Sequence, residues 1–287
     1  MNKNINPVES GTFFKMSDHV KDFSDVDNNS PLSLIKYLKR VNKHPATANI
    51  TRKTKEELTL GEGDKIIDFG CGYGKDLKSF LNRVGPNGEV TGIDNSTAMI
   101  DYAKKKFGDR PTVKLHVFSA EKVDLPSNYY DVARCERLLQ HVPNPVAVID
   151  EMIRVTKDGG MVAISDTDWT SSKIYCPERL RDVTDRILNT KFNCHPGVAN
   201  ELFSLVNPKL KNTKVRGYMI QATSWEFAKV VTLDLRAKRA LDLKVITQEE
   251  YNDWVETMKD LDRKGQFYHS IDYVSVCGVV KKTQSNL

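Results

Sequence analysis

The spacing of hydrophobic and polar residues divides the chain into three stretches. Residues 1 to about 30 are mostly polar, and we expect a loosely held arm in which the adjacent Phe13 and Phe14 dock against the rest of the protein. Residues 33–41 and 47–58 repeat apolar side chains every three to four positions, which is typical of helices. From Lys65 onwards, short β-rich runs alternate with amphipathic segments. This alternation predicts a parallel sheet flanked by helices.

The runs in this third stretch fix where the strands and helices are expected. Strands are predicted at residues 65–69, 89–94, 113–118, 131–135, 161–166, 215–222 and 268–280. Helices are predicted near residues 75–83, 96–107 and 145–155. We expect the last strand to have a hairpin partner upstream. The residues between the fifth and sixth strands form an insertion over the carboxyl ends of the parallel strands, where open α/β sheets bind ligands. We therefore assign this insertion to substrate selection.

Composition and charge narrow the class of protein. The 287 residues are 39% hydrophobic and 28% charged, as in ordinary globular proteins. The 43 basic and 38 acidic residues leave a net charge of only +5, without a concentrated basic stripe, so nucleic acid is not an expected partner. No apolar run approaches the roughly 18 residues of a membrane span, and the N-terminus lacks the apolar stretch of a secretory signal. We therefore expect a cytoplasmic chain without membrane insertion.

Cysteine and histidine spacing gives no indication of a metal site. The five cysteines lie far apart in sequence, at positions 71, 135, 176, 194 and 277. No paired-cysteine or HxxxH spacing accompanies them. We interpret the cysteines as free thiols and expect no bound metal.

A glycine-rich turn follows the first predicted strand. Gly70, Gly72 and Gly74 lie between that strand and a helix, where the backbone must turn tightly and a ligand must approach without meeting a β-carbon. The N–H groups at the start of the helix favour an anionic or polar ligand. Asp94 ends the second strand, 20 residues after Gly74, where a carboxylate can accept both hydroxyl hydrogens of a ribose. Together these features predict a cofactor of the adenosine type.

The glycine spacing distinguishes between adenosine cofactors. The turn reads GxGxG rather than the dinucleotide pattern GxGxxG, which disfavours a nicotinamide-dependent oxidoreductase. With Asp68 two residues before Gly70, the turn resembles the first motif of the class I S-adenosylmethionine-dependent methyltransferases. Residues 93–96, 118–121 and 131–141 resemble the second, third and fourth motifs. Residues 151–160 are similar to the helix and turn before strand five in the ubiquinone-biosynthesis-like branch.

The resemblance implies a site for S-adenosylmethionine. The glycine turn would face the methionyl part, Asp68 would help to receive its ammonium group, and Asp94 would hold the ribose. Met99 would either pack on the purine or belong to the core. Most members of the family have an aspartate at the position of Ser119. The full set of implied cofactor residues is Asp68, Gly70, Cys71, Gly72, Gly74, Asp94, Asn95, Met99, Ser119, Ala120, Glu121, Cys135 and Glu136.

The expected chemistry is an in-line methyl transfer, for which positioning can supply much of the rate. His141 is the first candidate for a general base, with capping of a turn as its alternative. Asp166 and Asp168 either orient the acceptor and take its proton or cap a following helix. Trp169 and Tyr175 either form a wall for a flat substrate or pack in the core.

These expectations combine into one architecture. A flexible arm at residues 1–30 precedes a single α/β domain at residues 31–287. The domain has a Rossmann-like, mostly parallel seven-stranded sheet, a helical N-terminal cover and an insertion after strand five. It divides into a cofactor-binding half at residues 60–166, the insertion at about 167–214 and C-terminal strands and helices at 215–287.

The expected function is methylation of an oxygen, nitrogen or carbon atom of a small organic metabolite by a monomer or homodimer. Two alternatives remain open, a nucleic-acid methyltransferase and a catalytically silent cofactor-binding partner subunit.

Overall fold

The computed structural model describes residues 26–28 and 30–282, so Phe13 and Phe14 lie outside the described residues. The helices of this part are α1 (Pro31–Lys43), α2 (Pro45–Glu56), α3 (Leu77–Val84), α4 (Thr97–Phe107), α5 (Pro145–Val155), α6 (Arg181–Leu188), α7 (Val198–Val206), α8 (Trp225–Val230), α9 (Leu233–Asp242) and α10 (Gln248–Arg263). Its strands are β1 (Lys65–Phe69), β2 (Glu89–Asp94), β3 (Val113–Val117), β4 (Tyr130–Glu136), β5 (Thr156–Ile174), β6 (Leu210–Ala222) and β7 (His269–Val280). None of these helices is long and apolar enough to cross a membrane.

The strands form one seven-stranded sheet in the order β3-β2-β1-β4-β5-β7-β6. The first five strands in this order run parallel, and Ile67 at the centre pairs with Thr91 on one side and Ala133 on the other. β7 lies antiparallel between β5 and β6. The predicted Rossmann-like, mostly parallel sheet is therefore confirmed.

The C-terminal half corrects two predictions. β7 does pair with an upstream strand, but three helices, α8 to α10, separate it from β6, so the pair is not a hairpin. β5 extends well beyond residue 166, because its later residues continue to pair with β7 through a bulge. Asp166 and Asp168 lie inside this long strand and cap no helix.

The hydrophobic core follows the alternation of side chains along the strands. Ile66 belongs to a cluster formed with α3 and α4, whereas Ile67 belongs to a second cluster with α5 and α7, so these helix pairs cover opposite faces of the sheet. A third cluster contains Trp225 and Trp254 and joins α1, α6 and α8 to α10. These helices form the cap of the domain.

The arm is attached to the domain where it becomes described. Val26 is only 5% exposed and packs in the third cluster. The carboxylate of Asp27 accepts hydrogen bonds from the Thr97 nitrogen at 2.9 Å and the Ala98 nitrogen at 3.1 Å, at the start of α4. A carboxylate at a helix N-terminus is favoured by the helix dipole. These contacts bring the chain to the edge of the sheet where β2 ends.

Candidate active site

A cavity of about 540 Å³ lies at the carboxyl ends of the parallel strands. Its walls come from α1, the glycine turn, the ends of β2 and β4, residues 191–194 of the insertion, and the segment containing α8 and α9. Nine of the residues predicted to bind the cofactor or to act in catalysis line it, namely Asp68, Gly70, Cys71, Gly72, Asp94, Asn95, Met99, Glu136 and His141. The structure therefore brings most of the predicted cofactor residues together with His141 at one edge of the sheet.

The three glycines of the turn all have positive φ, but for different reasons. A β-carbon on Gly70 would lie 2.9 Å from the Leu138 side chain, and one on Gly74 would lie 2.8 Å from the Phe107 ring. These two positions need glycine because side chains pack directly against them. A β-carbon on Gly72, at φ +53°, would meet no described atom within 4 Å. Gly72 therefore leaves the backbone open where the turn faces the cavity.

The Asp94 carboxylate lies beside this open position. Its Oδ2 accepts a hydrogen bond from the Gly72 nitrogen at 2.8 Å, and its Oδ1 accepts one from the Ser96 nitrogen at 3.0 Å. Burial raises the pKa of Asp94, and these two backbone donors oppose the rise. A carboxylate offers about four lone-pair sites, so these bonds leave acceptor capacity for ribose hydroxyls. The open glycine and the acidic acceptor fit the sugar and methionyl parts of the predicted cofactor.

A buried ion network forms the floor of the cofactor end. Arg134 on β4 donates from Nη1 to Asp68 at 2.8 Å, and its Nη2 contacts Asp76 at 3.2 Å and also Glu136. The side chains of all four residues are at most 7% exposed. The buried charge of Arg134 is balanced only when β1, β4 and the start of α3, which carry the three carboxylates, pack together.

The network sets opposite pKa shifts on its acids. Burial raises the pKa of Asp68 to about 6, although Arg134 opposes the rise. Burial would also raise the pKa of Glu136, but Lys75, Arg134 and Arg137 outweigh it and hold that pKa well below its usual value. Despite burial, nearby cations also lower the pKa of Asp76, so Glu136 and Asp76 are the ionised acids of the network. Asp68 is the acid whose pKa lies nearest to neutral pH.

The same network connects the helical cover, which consists of α1 and α2, to the sheet. Thr51 on α2 donates to Glu136 at 2.8 Å, and Lys55 contacts Asp76 at 2.9 Å. Asn42 at the end of α1 accepts a hydrogen bond from Arg137 at 2.7 Å. Sequence reasoning missed these cavity-floor contacts because each joins residues that are far apart in the chain.

Several predicted cofactor residues lie outside the cavity wall. Ala120 packs in the core, and the Ser119 hydroxyl accepts a hydrogen bond from the Glu121 nitrogen. The Glu121 carboxylate in turn accepts one from the Asn144 nitrogen at 2.6 Å, at the start of α5. Cys135 is 1% exposed, and burial holds its pKa well above the usual value, so it remains a thiol. The five cysteines are free thiols.

The two predicted catalytic residues differ in position. His141 lines the cavity, and its backbone nitrogen closes a turn onto Leu138. Asp166 is fully buried and is not part of the cavity wall. Burial raises the pKa of Asp166 to about 7, opposed by hydrogen bonds from the backbone of Thr167 and from Gln140. Asp166 therefore contacts Gln140 rather than the cavity.

The far end of the cavity is built largely by residues that sequence reasoning did not identify. Trp169 packs against the third core cluster and also lines this end of the cavity, with the Phe192 ring edge-on at 4.9 Å between ring centroids. Tyr175 is 55% exposed and lies outside the wall. The remaining wall includes Tyr37 and Leu38 of α1, Asn193 of the insertion, and Val231, Thr232 and Leu235 around the start of α9. Only long-range packing brings these segments together, so no local pattern indicated them.

Comparison with known proteins agrees with this geometry. The methyltransferase domain family matches residues 60–256. An uncharacterised 37.1 kDa protein from a transposon of Streptomyces fradiae is 33% identical over 153 residues, which are 50% of this chain and 44% of that protein. Demethylmenaquinone methyltransferase of Staphylococcus aureus is 32% identical over 124 residues, covering 43% of this chain and 52% of the relative. The chain thus spans about half the length of the curated relatives it matches.

Solved structures share the fold. Phosphoethanolamine N-methyltransferase 2 of Haemonchus contortus, in complex with phosphomonomethylethanolamine and S-adenosylhomocysteine, superposes with a TM-score of 0.57 at 14% identity. The alignment covers 91% of this chain and 60% of that one. The match to residues 60–256 includes every predicted cofactor residue and most of the cavity wall. The chain therefore belongs to the methyltransferase domain family, which confirms its resemblance to the class I S-adenosylmethionine-dependent methyltransferases.

Proposed function

We propose that this chain transfers a methyl group from S-adenosylmethionine to an oxygen, nitrogen or carbon atom of a small organic acceptor. The observation that carries the proposal is that one cavity joins the glycine turn and Asp94 to an aromatic chamber at Trp169 and Phe192. A donor held at the turn and an acceptor held in the chamber would therefore occupy one continuous space. Methyl transfer requires that proximity, because the two reacting atoms must be held about 3 Å apart and in line.

The cofactor end offers suitable partners for each part of the donor. The open backbone at Gly72 admits the methionyl chain, and Asp94 supplies acceptors for the ribose. Asp68 accepts from Arg134 at Oδ1, so the ammonium group would share this carboxylate with a guanidinium. Met99 is buried, belongs to the third core cluster and also lines the cavity. It can therefore pack on the purine while remaining part of the core. When bound, the cofactor supplies an electrophilic methyl group on a sulfonium.

At the adenine end, Ser119, Ala120 and Glu121 remain the expected neighbours of the base. Their loop follows β3 and lies at the same edge of the sheet as Asp94. Cys135 and Glu136 end β4 next to β1, so they remain the expected neighbours of the methionyl chain. The buried Cys135 thiol is a spacer there, and Glu136 contributes through the ion network.

The acceptor end of the cavity favours a small molecule as the methyl acceptor. Its wall combines aromatic and aliphatic side chains with the polar and charged side chains of Asn193, Lys238 and Asp242. A cavity of this size and mixed lining suits a compact ligand better than a polymer strand. His141 is the candidate base where the acceptor must lose a proton. We assign Asp166 a positioning role through Gln140, since it does not reach the cavity. The relatives named for demethylmenaquinone and phosphoethanolamine methylation also favour a small acceptor.

Two successive measurements test the proposal. Calorimetric titration with S-adenosylhomocysteine and with NADH should show binding of the first and not the second. Protein incubated with methyl-labelled S-adenosylmethionine should then label a component of metabolite extracts and leave RNA unlabelled. Binding of NADH alone would refute the cofactor, and labelling of RNA alone would refute the acceptor class. Tight binding without transfer to either material would identify a silent partner subunit.

A further inference from the structure

A chain of side-chain hydrogen bonds through Gln140 and Asn193 connects Asp166 to the acceptor end of the cavity. The Gln140 Nε2 donates to Asp166 Oδ1 at 2.6 Å. The Gln140 Oε1 accepts from Trp169 Nε1 at 2.5 Å and from Asn193 Nδ2 at 3.0 Å. Gln140 is only 2% exposed, so these bonds form away from bulk water. The chain ends at Asn193, which lines the cavity.

Chemistry fixes the direction of every bond in this chain. An indole N–H can only donate, so the Gln140 atom that faces Trp169 must be the oxygen. Its nitrogen then faces Asp166, which accepts. Because the Gln140 oxygen also faces Asn193, the Asn193 atom at that contact must be the nitrogen. The remaining polar atom of Asn193 is therefore its oxygen.

That oxygen is buried and has no hydrogen-bond partner among residues 26–28 and 30–282. A buried acceptor left without a donor is unfavourable, because it has given up its hydrogen bonds to water and gained none in the protein. The loop that carries it is nevertheless held in place by two backbone hydrogen bonds. The backbone N–H of Trp169 donates to the Pro196 carbonyl at 2.9 Å, and the backbone N–H of His195 donates to the Gln140 carbonyl at 3.0 Å. The structure thus maintains an unsatisfied acceptor on a residue that lines the cavity.

A second residue of the wall has the same property. Thr232 precedes α9 with φ at +68°, which is an unusual conformation for a β-branched residue. Its hydroxyl oxygen is also buried without a partner in the described part of the chain. One turn later, Arg236 lies over the Phe192 ring at 5.1 Å, so the start of α9 faces the loop that carries Asn193. Strain and unsatisfied polar atoms that persist together are typical of ligand-binding sites.

We propose that the methyl acceptor carries a hydroxyl or N–H group, and that Asn193 Oδ1 receives its hydrogen while Thr232 provides a second polar contact. This inference rests on the proposed function and specifies its substrate class. An acceptor that presents a ketone, ether or carboxylate oxygen at this position is disfavoured, because two acceptors would face each other. Asn193 is thus a specificity-determining residue, and Gln140 and Asp166 are positioning residues that fix its orientation.

The test uses two probes of nearly equal shape, phenol and toluene, which differ by a hydroxyl in place of a methyl group. Their dissociation constants are measured by ligand-observed NMR on the full chain saturated with S-adenosylhomocysteine. The quantity compared is the ratio of the toluene constant to the phenol constant. In Asn193→Leu and in Asn193→Ala, we expect this ratio to fall about tenfold relative to wild type, since a hydrogen bond to a buried acceptor is lost. The exposed residue Asn200 on α7 provides the matched control, and Asn200→Ala should keep the wild-type ratio.

The outcomes separate this inference from the proposed function. An unchanged ratio in both Asn193 variants, with S-adenosylhomocysteine still bound, would overturn the inference and leave the proposed function intact. Failure of the loaded wild-type protein to bind phenol would also overturn it. Failure of the wild-type protein to bind S-adenosylhomocysteine would refute both. The use of two variants guards against a local packing defect, because Asn193→Ala removes the amide without adding bulk.

Discussion

Replacing Arg134 with methionine should show how strongly the buried ion network stabilises the fold. Arg134 and Asp68 are 5% and 4% exposed and lie 2.8 Å apart. At an effective dielectric constant of about 20, two unit charges at this distance attract by about 6 kcal/mol before desolvation is counted. Removing one partner of such a buried pair typically costs about 3–5 kcal/mol, because the other charge stays buried. We expect Arg134→Met to lower the free energy of unfolding by that amount.

The assay is urea unfolding, followed by circular dichroism at two pH values. Burial already raises the pKa of Asp68 to about 6, and loss of Arg134 would raise it further. A carboxyl whose pKa is raised in the native state contributes stability at low pH, and this contribution is lost as the pH rises through that pKa. In the variant, Asp68 would be largely protonated at pH 5.5 and charged at pH 8. The loss in unfolding free energy should therefore be smaller at pH 5.5 than at pH 8. The double variant Arg134→Met with Asp68→Asn should recover part of the loss at pH 8.

The matched control is Arg52→Met, which breaks an exposed pair with Glu56 on α2. The two side chains are 58% and 60% exposed, and such pairs are worth about 0.3–0.5 kcal/mol. If Arg134→Met costs no more than Arg52→Met, the network is not a stabilising unit and the reasoning fails. A loss that is equal at both pH values would show instead that Asp68 is not the carboxylate left without a partner.

Three further predictions concern the cofactor turn and Asp166. Gly72→Ala should weaken binding of S-adenosylhomocysteine at least tenfold in calorimetry, because its β-carbon would occupy the open face of the turn, while the positive φ costs about 1 kcal/mol in stability. Asp94→Ala should also weaken that binding tenfold or more, because hydrogen bonds to a charged acceptor are lost. The control is Asp101→Ala on the exposed face of α4, which should not change the affinity. Equal affinities of the two variants would show that Asp94 is not part of the site. Burial raises the pKa of Asp166 to about 7, so its proton stabilises the native state below about pH 4 and this contribution disappears as the pH rises towards 7. Asp166→Asn cannot titrate and should flatten this part of the stability profile in urea titrations, and a parallel profile would contradict the assignment.

The sequence was most informative where a local pattern determines the structure. β1 and β2 begin and end at the predicted residues, because each is an apolar run that leads into a glycine or an acidic residue. The glycine turn could be predicted for the same reason. Arg134 is different, since nothing near it in sequence shows that Asp68 and Asp76 will surround it. Its role depends on contacts between three elements that only the folded sheet brings together.

The acceptor end could not be predicted, because its wall is assembled from distant segments. The predicted insertion supplies Phe192 and Asn193 to the cavity wall, while its role in substrate selection stays a prediction. The start of α9, with Thr232, lies outside the predicted insertion and was missed. A threonine with positive φ carries no signature in the sequence, because its conformation is imposed by the packing of α8 and α9.

The two ends of the cavity use polar side chains in different ways. At the cofactor end, carboxylates and cations satisfy one another, and Thr51, Lys55 and Asn42 extend this network into the helical cover. Lifting the cover would therefore break buried polar contacts as well as apolar packing, which favours a cover that stays closed over the donor. At the opposite end, the wall residues Asn193 and Thr232 keep polar atoms that have no hydrogen-bond partner within the described part of the chain. An enzyme that uses one donor for every turnover and must select one acceptor needs this division, because a satisfied network provides rigidity and an unsatisfied atom provides discrimination.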